Sequence, residues 1–352
     1  MELDDEWLYF QNSLNNNIDI DNIYQKPKLE TVENAEIPKC SDIYISTQTK
    51  IVFLNSPVDI YKIYWEIPTI DYHIPRYGII KKSIKINCIN HEQLEILEEK
   101  IKKEKNISVT ILSQVDNPNA RKTKFKDVRK IDIGLCKKDL TSYRKKKKGA
   151  FYNCFAVILR VFYKNEYKEV HAKIFNTGKL EIPGIQNNDL LTITLDKLIT
   201  ILKPHINEEL DYHKDSISTV LINSNFNCGF YIDRFKLYEI LKDKYYINSA
   251  YDPCSYPGIQ CKFYYHPKAE VNNGIKTDLF TEGWTVVSFM IFRTGSVLIV
   301  GNCNEDVLRK IYKYLKEMLK TEYLNIFIKN NTTKKQKAIK KIRKRTILLD
   351  LK

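Results

Sequence analysis

Residues 174–184 read Ile174-Phe175-Asn176-Thr177-Gly178-Lys179-Leu180-Glu181-Ile182-Pro183-Gly184, and residues 291–301 read Ile291-Phe292-Arg293-Thr294-Gly295-Ser296-Val297-Leu298-Ile299-Val300-Gly301. Both follow Ile-Phe-x-Thr-Gly-x-x-x-Ile-x-Gly at an offset of 117 residues. The same offset carries Asn187-Asn188-Asp189-Leu190 onto Asn304-Glu305-Asp306-Val307, each opening an apolar-periodic segment that runs to Leu202 or Leu319. One short match is easily produced by a biased composition, but phase held through strand, turn and helix marks an internal repeat.

Reading outward from the two stretches gives the elements of each copy. In the first, Phe155 to Tyr163 and Tyr167 to Phe175 read as strands, Thr177-Gly178 as a tight turn, Lys179 to Ile182 as a third strand, and a helix follows an Asn or Asp cap. In the second, Gly258 to Tyr265 and Trp284 to Phe292 pair around an excursion over 266–283, and Val297 to Val300 follows the turn. A helix then carries Leu308, Ile311, Leu315 and Leu319 on one face. Upstream lie a strand and a helix in each copy: Ile45 to Leu54 then Val58 to Glu66, and Val220 to Phe230 then Phe235 to Leu241. The expected fold is α+β, two tandem β-α-β-β-β-α repeats whose antiparallel sheet has helices on one face and leaves the other uncovered. Segment 67–150 separates the first helix from its strands. Its own strand (Ile79 to Cys88), helix (His91 to Lys105) and strand (Ile107 to Leu112) predict a folded insertion. The domain boundaries are thus an acidic tail over 1–36, a first repeat over 37–205 with insertion 67–150, a second repeat over 206–320, and a basic tail over 321–352.

Charge is regional. The 352 residues carry a net charge of +14, with −7 in 1–36, +10 in 121–148 and +8 in 321–352. The runs Arg144 to Lys148 and Lys334 to Arg345 are either polyanion contacts, where each lysine on a phosphate releases counterions, or solvated segments. The acidic start, with Trp7, Tyr9 and Phe10 among its carboxylates, reads either as an internal mimic of DNA, a docking motif for another factor, or a solubilising tail. It lacks the basic and apolar start of a signal peptide, and no run of 18 apolar residues exists, so the sequence predicts a soluble intracellular protein without membrane association. The eight cysteines form no CxxC pair and read as free thiols. Six histidines show no metal-ligand spacing, and neither a phosphate-binding glycine loop nor a Ser/His/Asp set can be assembled. No catalysis, metal or cofactor is expected.

A concave apolar sheet with basic flanks suits the minor groove of DNA, where specificity is low and apolar wedges unstack base steps. At this point the residues resemble the TATA-box-binding protein family. The resemblance is carried by Tyr251-Asp252-Pro253, Tyr256-Pro257-Gly258-Ile259 and Ile291-Phe292-x-Thr294-Gly295 in the second copy. In the first it is carried by Ala156-Val157-Ile158-Leu159-Arg160 and Ile174-Phe175-x-Thr177-Gly178-Lys179. It covers 41–66, 151–203 and 217–320, and it implies a saddle-shaped sheet with its helices on the convex face. The long insertion and the asymmetry of the halves look like a divergent protein of a large DNA virus.

The resemblance implies kinking aromatics at Phe175 with Cys154 or Phe155, and at Phe292 with Tyr256. It implies central polar residues at Thr47 and Asn223, phosphate contacts at Arg160, Lys179 and Lys262, and groove-facing Leu298 and Val300. In the first copy the groove-facing places hold Glu181 and Pro183, and a carboxylate there meets the negative potential of the groove. The implied function is a transcription initiation factor that binds and bends AT-rich promoter DNA and recruits a transcription factor IIB-like factor and RNA polymerase, in a host nucleus or a cytoplasmic viral factory. The rival readings are an accessory nucleic-acid-binding subunit, or a scaffold whose sheet holds an acidic protein partner. In a generic sheet Phe175 and Phe292 would simply be core residues.

Overall fold

A computed structural model describes residues 37–141 and 151–329. The acidic start, the run Arg144 to Lys148 and the tail run Lys334 to Arg345 lie outside the described residues. Two compact units are present: residues 47–220 form the first, and residues 37–46 with 221 onward form the second.

The first unit contains β1 (Tyr44–Phe53), α1 (Ile60–Glu66), β2 (Gly78–Cys88), α2 (His91–Lys103), β3 (Ile107–Asp116), β4 (Phe125–Gly134), α3 (Lys137–Thr141), β5 (Cys154–Tyr163), β6 (Glu166–Phe175), β7 (Lys179–Ile185) and α4 (Asn188–Ile206). Its strands run β1-β7-β6-β5-β2-β4-β3. Alternation decides which side chains meet the helices. Phe155, Val157, Leu159 and Val161 of β5 point to one side, where Ile63 and Tyr64 of α1 and Leu191, Leu195, Leu198 and Leu202 of α4 bury them. Asp59 and Asn187 accept from the first free backbone amides of α1 and α4, which is why each helix starts where it does.

The insertion does not form a separate body. Its strand β2 pairs with β5 on one side and β4 on the other, so β2, β4 and β3 lengthen the repeat's own sheet. Strand β4 had no counterpart in the sequence reading. Its alternation is interrupted by Lys126, Asp127, Arg129 and Lys130, of which Asp127 is buried only because Arg129 bonds it and reaches on to Glu98 of α2.

The second unit contains β8 (Ser218–Asn227), β9 (Tyr231–Ile232), α5 (Arg234–Glu239), β10 (Asn248–Ala250), β11 (Ile259–Tyr265), β12 (Thr285–Ile291), β13 (Ser296–Gly301), α6 (Glu305–Thr321), α7 (Tyr323–Ile326) and β14 (Phe327–Ile328). The sheet order is β10-β11-β12-β13-β8, with β9 and β14 pairing apart. Leu308, Ile311, Leu315 and Leu319 of α6 cover Ile259, Phe263, Val287, Phe289 and Ile299. The first unit's sheet therefore has three strands beyond the four of the repeat, β2, β4 and β3, and the second unit's has one, the three-residue β10. The repeated Thr-Gly turn has a steric cause: Gly178 and Gly295 both sit at φ +81°, where a Cβ would meet the carbonyl oxygens of Ser56 and Phe230.

Candidate nucleic-acid interface

In the second unit the residues turned away from the helices stand in cross-strand rows. Lys262, Ser288, Val300 and Asn223 are successive partners across β11, β12, β13 and β8, and Gln260, Met290, Leu298 and Asn225 form the next row. Lys262 and Gln260 on β11 are exposed and the other positions of the two rows are half-buried. The face thus carries amides on β8, apolar side chains on β12 and β13, and a lysine on β11. Phe292, one residue past β12, falls by alternation on the side of Met290. It is nonetheless 0% exposed, because the Tyr256 ring packs edge-on against it at 5.8 Å and the bare backbone of Gly258 lies under both.

The corresponding face of the first unit is occupied differently at its two ends. At one end Ile158 of β5 packs with Ile80 and Cys136, against Ile70 and Tyr72. Arg160, 6% exposed, donates to the carbonyl oxygens of Ile74 and Tyr72 at 2.8 and 2.9 Å and lies over the Tyr72 ring. Tyr167 donates to the Pro75 carbonyl at 2.5 Å. Segment 67–77 is thereby tied down over the outward side of β5. Lys81 and Asp139 close the same end at 2.9 Å. Burial disfavours both charges, but hydrogen bonds outweigh it: the bond to Asp139 holds Lys81 above the ordinary lysine pKa, and the bonds from the Cys136 thiol, Lys81 and the Cys136 amide hold Asp139 below the ordinary carboxylate value. A cleft of 720 Å³ beside this cover is lined by Tyr72, Arg160, Glu169 and His171 among others.

The other end is open. Cys154 is the cross-strand partner of Phe175. A cysteine is too small to cover a phenyl ring, so Phe175 stays half-exposed, with the Lys179 ammonium 5.1 Å from its centroid. Burial pushes the Cys154 thiol pKa up, which leaves it a small apolar side chain. Glu181 does lie on this face, and Lys173 directly across the strand pair neutralises it at 2.6 Å.

Among the described residues no group of three or more His, Cys, Asp or Glu could hold a metal ion, and no helix is long and apolar enough to cross a membrane. No protein-family model matches the chain. A TATA-box-binding protein-like protein of Acanthamoeba polyphaga mimivirus is 28% identical over 196 residues, covering 51% of this chain and 50% of that protein. The chain is thus similar to a TATA-box-binding-protein-like protein of a large virus. It spans half the length of the curated relative it matches. A solved Methanococcus jannaschii TBP aligns at TM-score 0.39 and 13% identity, over 80% of this chain and 99% of that one.

The two repeats differ at the positions the resemblance singled out. Lys179, Lys262, Leu298, Val300 and Asn223 lie on helix-free faces, and Thr47 is half-buried on β1. Phe155 is a correction. It is 0% exposed on the helix side, edge-on to Tyr64, because Cys154 and not Phe155 has the outward parity. Arg160 is a second correction: its guanidinium is spent on backbone carbonyls of the covering segment. Phe292 and Tyr256 come together as paired, but Phe292 is covered in the free protein. Sequence reasoning passed over Ser288, Met290 and Asn225, although strand alternation around Leu298 and Val300 was enough to find them.

Proposed function

We propose that this chain binds AT-rich double-stranded promoter DNA through its helix-free faces, enters the minor groove, bends the duplex, and serves transcription initiation together with a transcription factor IIB-like factor and RNA polymerase. The observation that carries the reading is the second unit's uncovered face. There Asn223 and Asn225 supply amide groups on β8, Leu298, Val300 and Met290 supply an apolar floor on β12 and β13, and Lys262 supplies charge on β11. That order suits a groove whose floor offers acceptors and sugar edges and whose rims are phosphates. Phe175 and the Tyr256–Phe292 pair are the wedges of this proposal, Thr47 and Asn223 its central polar groups, and Lys179 and Lys262 its phosphate contacts. Insertion of Phe292 requires the Tyr256 ring to swing off it, so DNA binding and opening of that pair are coupled.

The test compares TATA-containing and scrambled duplexes for affinity and for bend angle by fluorescence transfer. A bend with TATA preference supports the proposal, and association without a bend rejects it. A second reading, an accessory nucleic-acid-binding subunit without TATA preference, is favoured by one observation: Arg160 and the 67–77 segment close part of the first unit's face. It predicts equal affinity for both duplexes.

A further inference from the structure

We propose that the open end of the first unit's helix-free face is a separate site for unpaired nucleic-acid bases, built from Phe151, Tyr152 and Phe175 with Lys85, Lys173 and Lys179. Phe151 and Tyr152, just before β5, are 61% and 45% exposed, two adjacent rings open to contact. They reach in opposite directions across the sheet. Tyr152 lies beneath the Lys85 ammonium of β2 at 3.7 Å, and Phe151 lies beneath that of Lys173 of β6 at 5.1 Å. Phe175, left uncovered by Cys154, adds a third ring with Lys179 at 5.1 Å.

Three rings, each paired with a cation, repeat along one sheet end. That is the arrangement a single strand needs, since every base has a π-face to stack and every phosphate a charge to neutralise. Bases inside an intact duplex do not present those faces. Glu181 does not oppose the strand, because Lys173 holds it; Lys173 is thereby engaged, and Lys85 and Lys179 are the cations left for phosphate. The site shares Phe175 and Lys179 with the duplex-binding proposal, but its deciding rings, Phe151 and Tyr152, lie outside that interface, so the two proposals fail separately.

The experiment measures fluorescence anisotropy of labelled oligo(dT), oligo(rU) and a blunt duplex against the full chain at fixed salt. Replacing Phe151→Ala and Tyr152→Ala together should weaken single-strand binding by about tenfold or more, while Tyr152→Phe keeps it, because stacking needs only the ring. Duplex affinity should stay within about twofold, since those rings contact no paired base. Lys85→Gln should lower the single-strand salt slope by about 0.7. Tighter oligo(dT) binding assigns a DNA ligand, and tighter oligo(rU) binding an RNA one. No single-strand binding by the unmodified chain overturns the proposal, as does equal loss on strand and duplex. Displacement of the oligonucleotide by poly-glutamate with no effect of the ring variants overturns it in favour of an acidic protein ligand.

Discussion

Lys173 Nζ lies 2.6 Å from Glu181 Oε1, and the two residues are direct partners across β6 and β7. A carboxylate that would meet a polyanion is thereby cancelled in place, at the cost of one lysine that would otherwise contact phosphate. The pair is partly exposed, so its own contribution to stability is small, about 0.2–1 kcal/mol. Its consequence is for binding. Glu181→Gln should free Lys173, tighten nucleic-acid association at low salt and steepen the slope of log affinity against log salt by about one phosphate equivalent. A salt titration reads both, and an unchanged slope would mean that Lys173 does not reach the ligand.

Phe175 and Phe292 occupy equivalent repeat positions but differ in cover. Phe292→Ala should cost about 3–5 kcal/mol in urea unfolding, as for other buried phenylalanines, whereas Phe175→Ala should cost less than about 1 kcal/mol. The double variant should lose most of the bend yet keep salt-dependent association. Equal destabilisation by the two single changes would contradict the difference in burial.

Arg160 is an anchor. Arg160→Ala should release segment 67–77 and lower stability by about 1.5–3 kcal/mol for the loss of bonds from a charged donor, and Arg160→Lys should not restore it, because a single ammonium cannot span both carbonyls. The salt slope of DNA binding should not move. A slope reduced by about one unit would return Arg160 to the phosphate contacts.

Glu322, with its side chain 1% exposed, accepts from Lys244 at 2.6 Å, Tyr245 at 2.8 Å and Asn325 at 2.9 Å. Burial alone would raise its pKa, but these bonds outweigh burial and hold it below the ordinary value of 4.5. Its stabilisation is therefore present above pH 4.5 and lost as pH falls through the depressed folded-state value. Glu322→Gln should lower stability at neutral pH and flatten that acid limb, which thermal unfolding across pH 3–6 would check on about the scale of one carboxylate titration.

Neutralising Arg144 to Lys148 should flatten the salt slope and weaken all duplexes about equally, because phosphate contacts carry no sequence information. Selective weakening of one duplex would assign base reading to the run.

The sequence by itself determined the repeat, the strands and helices of each copy, the shared Thr-Gly turns and the Asn caps, though not β4, β9, β10 or β14, because the former depend on local chemistry: a glycine at positive φ, an amide side chain at a helix start, and alternation along a strand. The Tyr256–Phe292 partnership was implied by the family resemblance of Tyr256-Pro257-Gly258 and Ile291-Phe292. Only the tertiary structure decided that β2 joins the repeat's own sheet, that Cys154 rather than Phe155 faces Phe175, that Arg160 holds backbone rather than phosphate, and that Lys173 silences Glu181. Each of these rests on which distant strand lies alongside and on its register. A register change of one residue reverses every side chain, and nothing local to the strand records it.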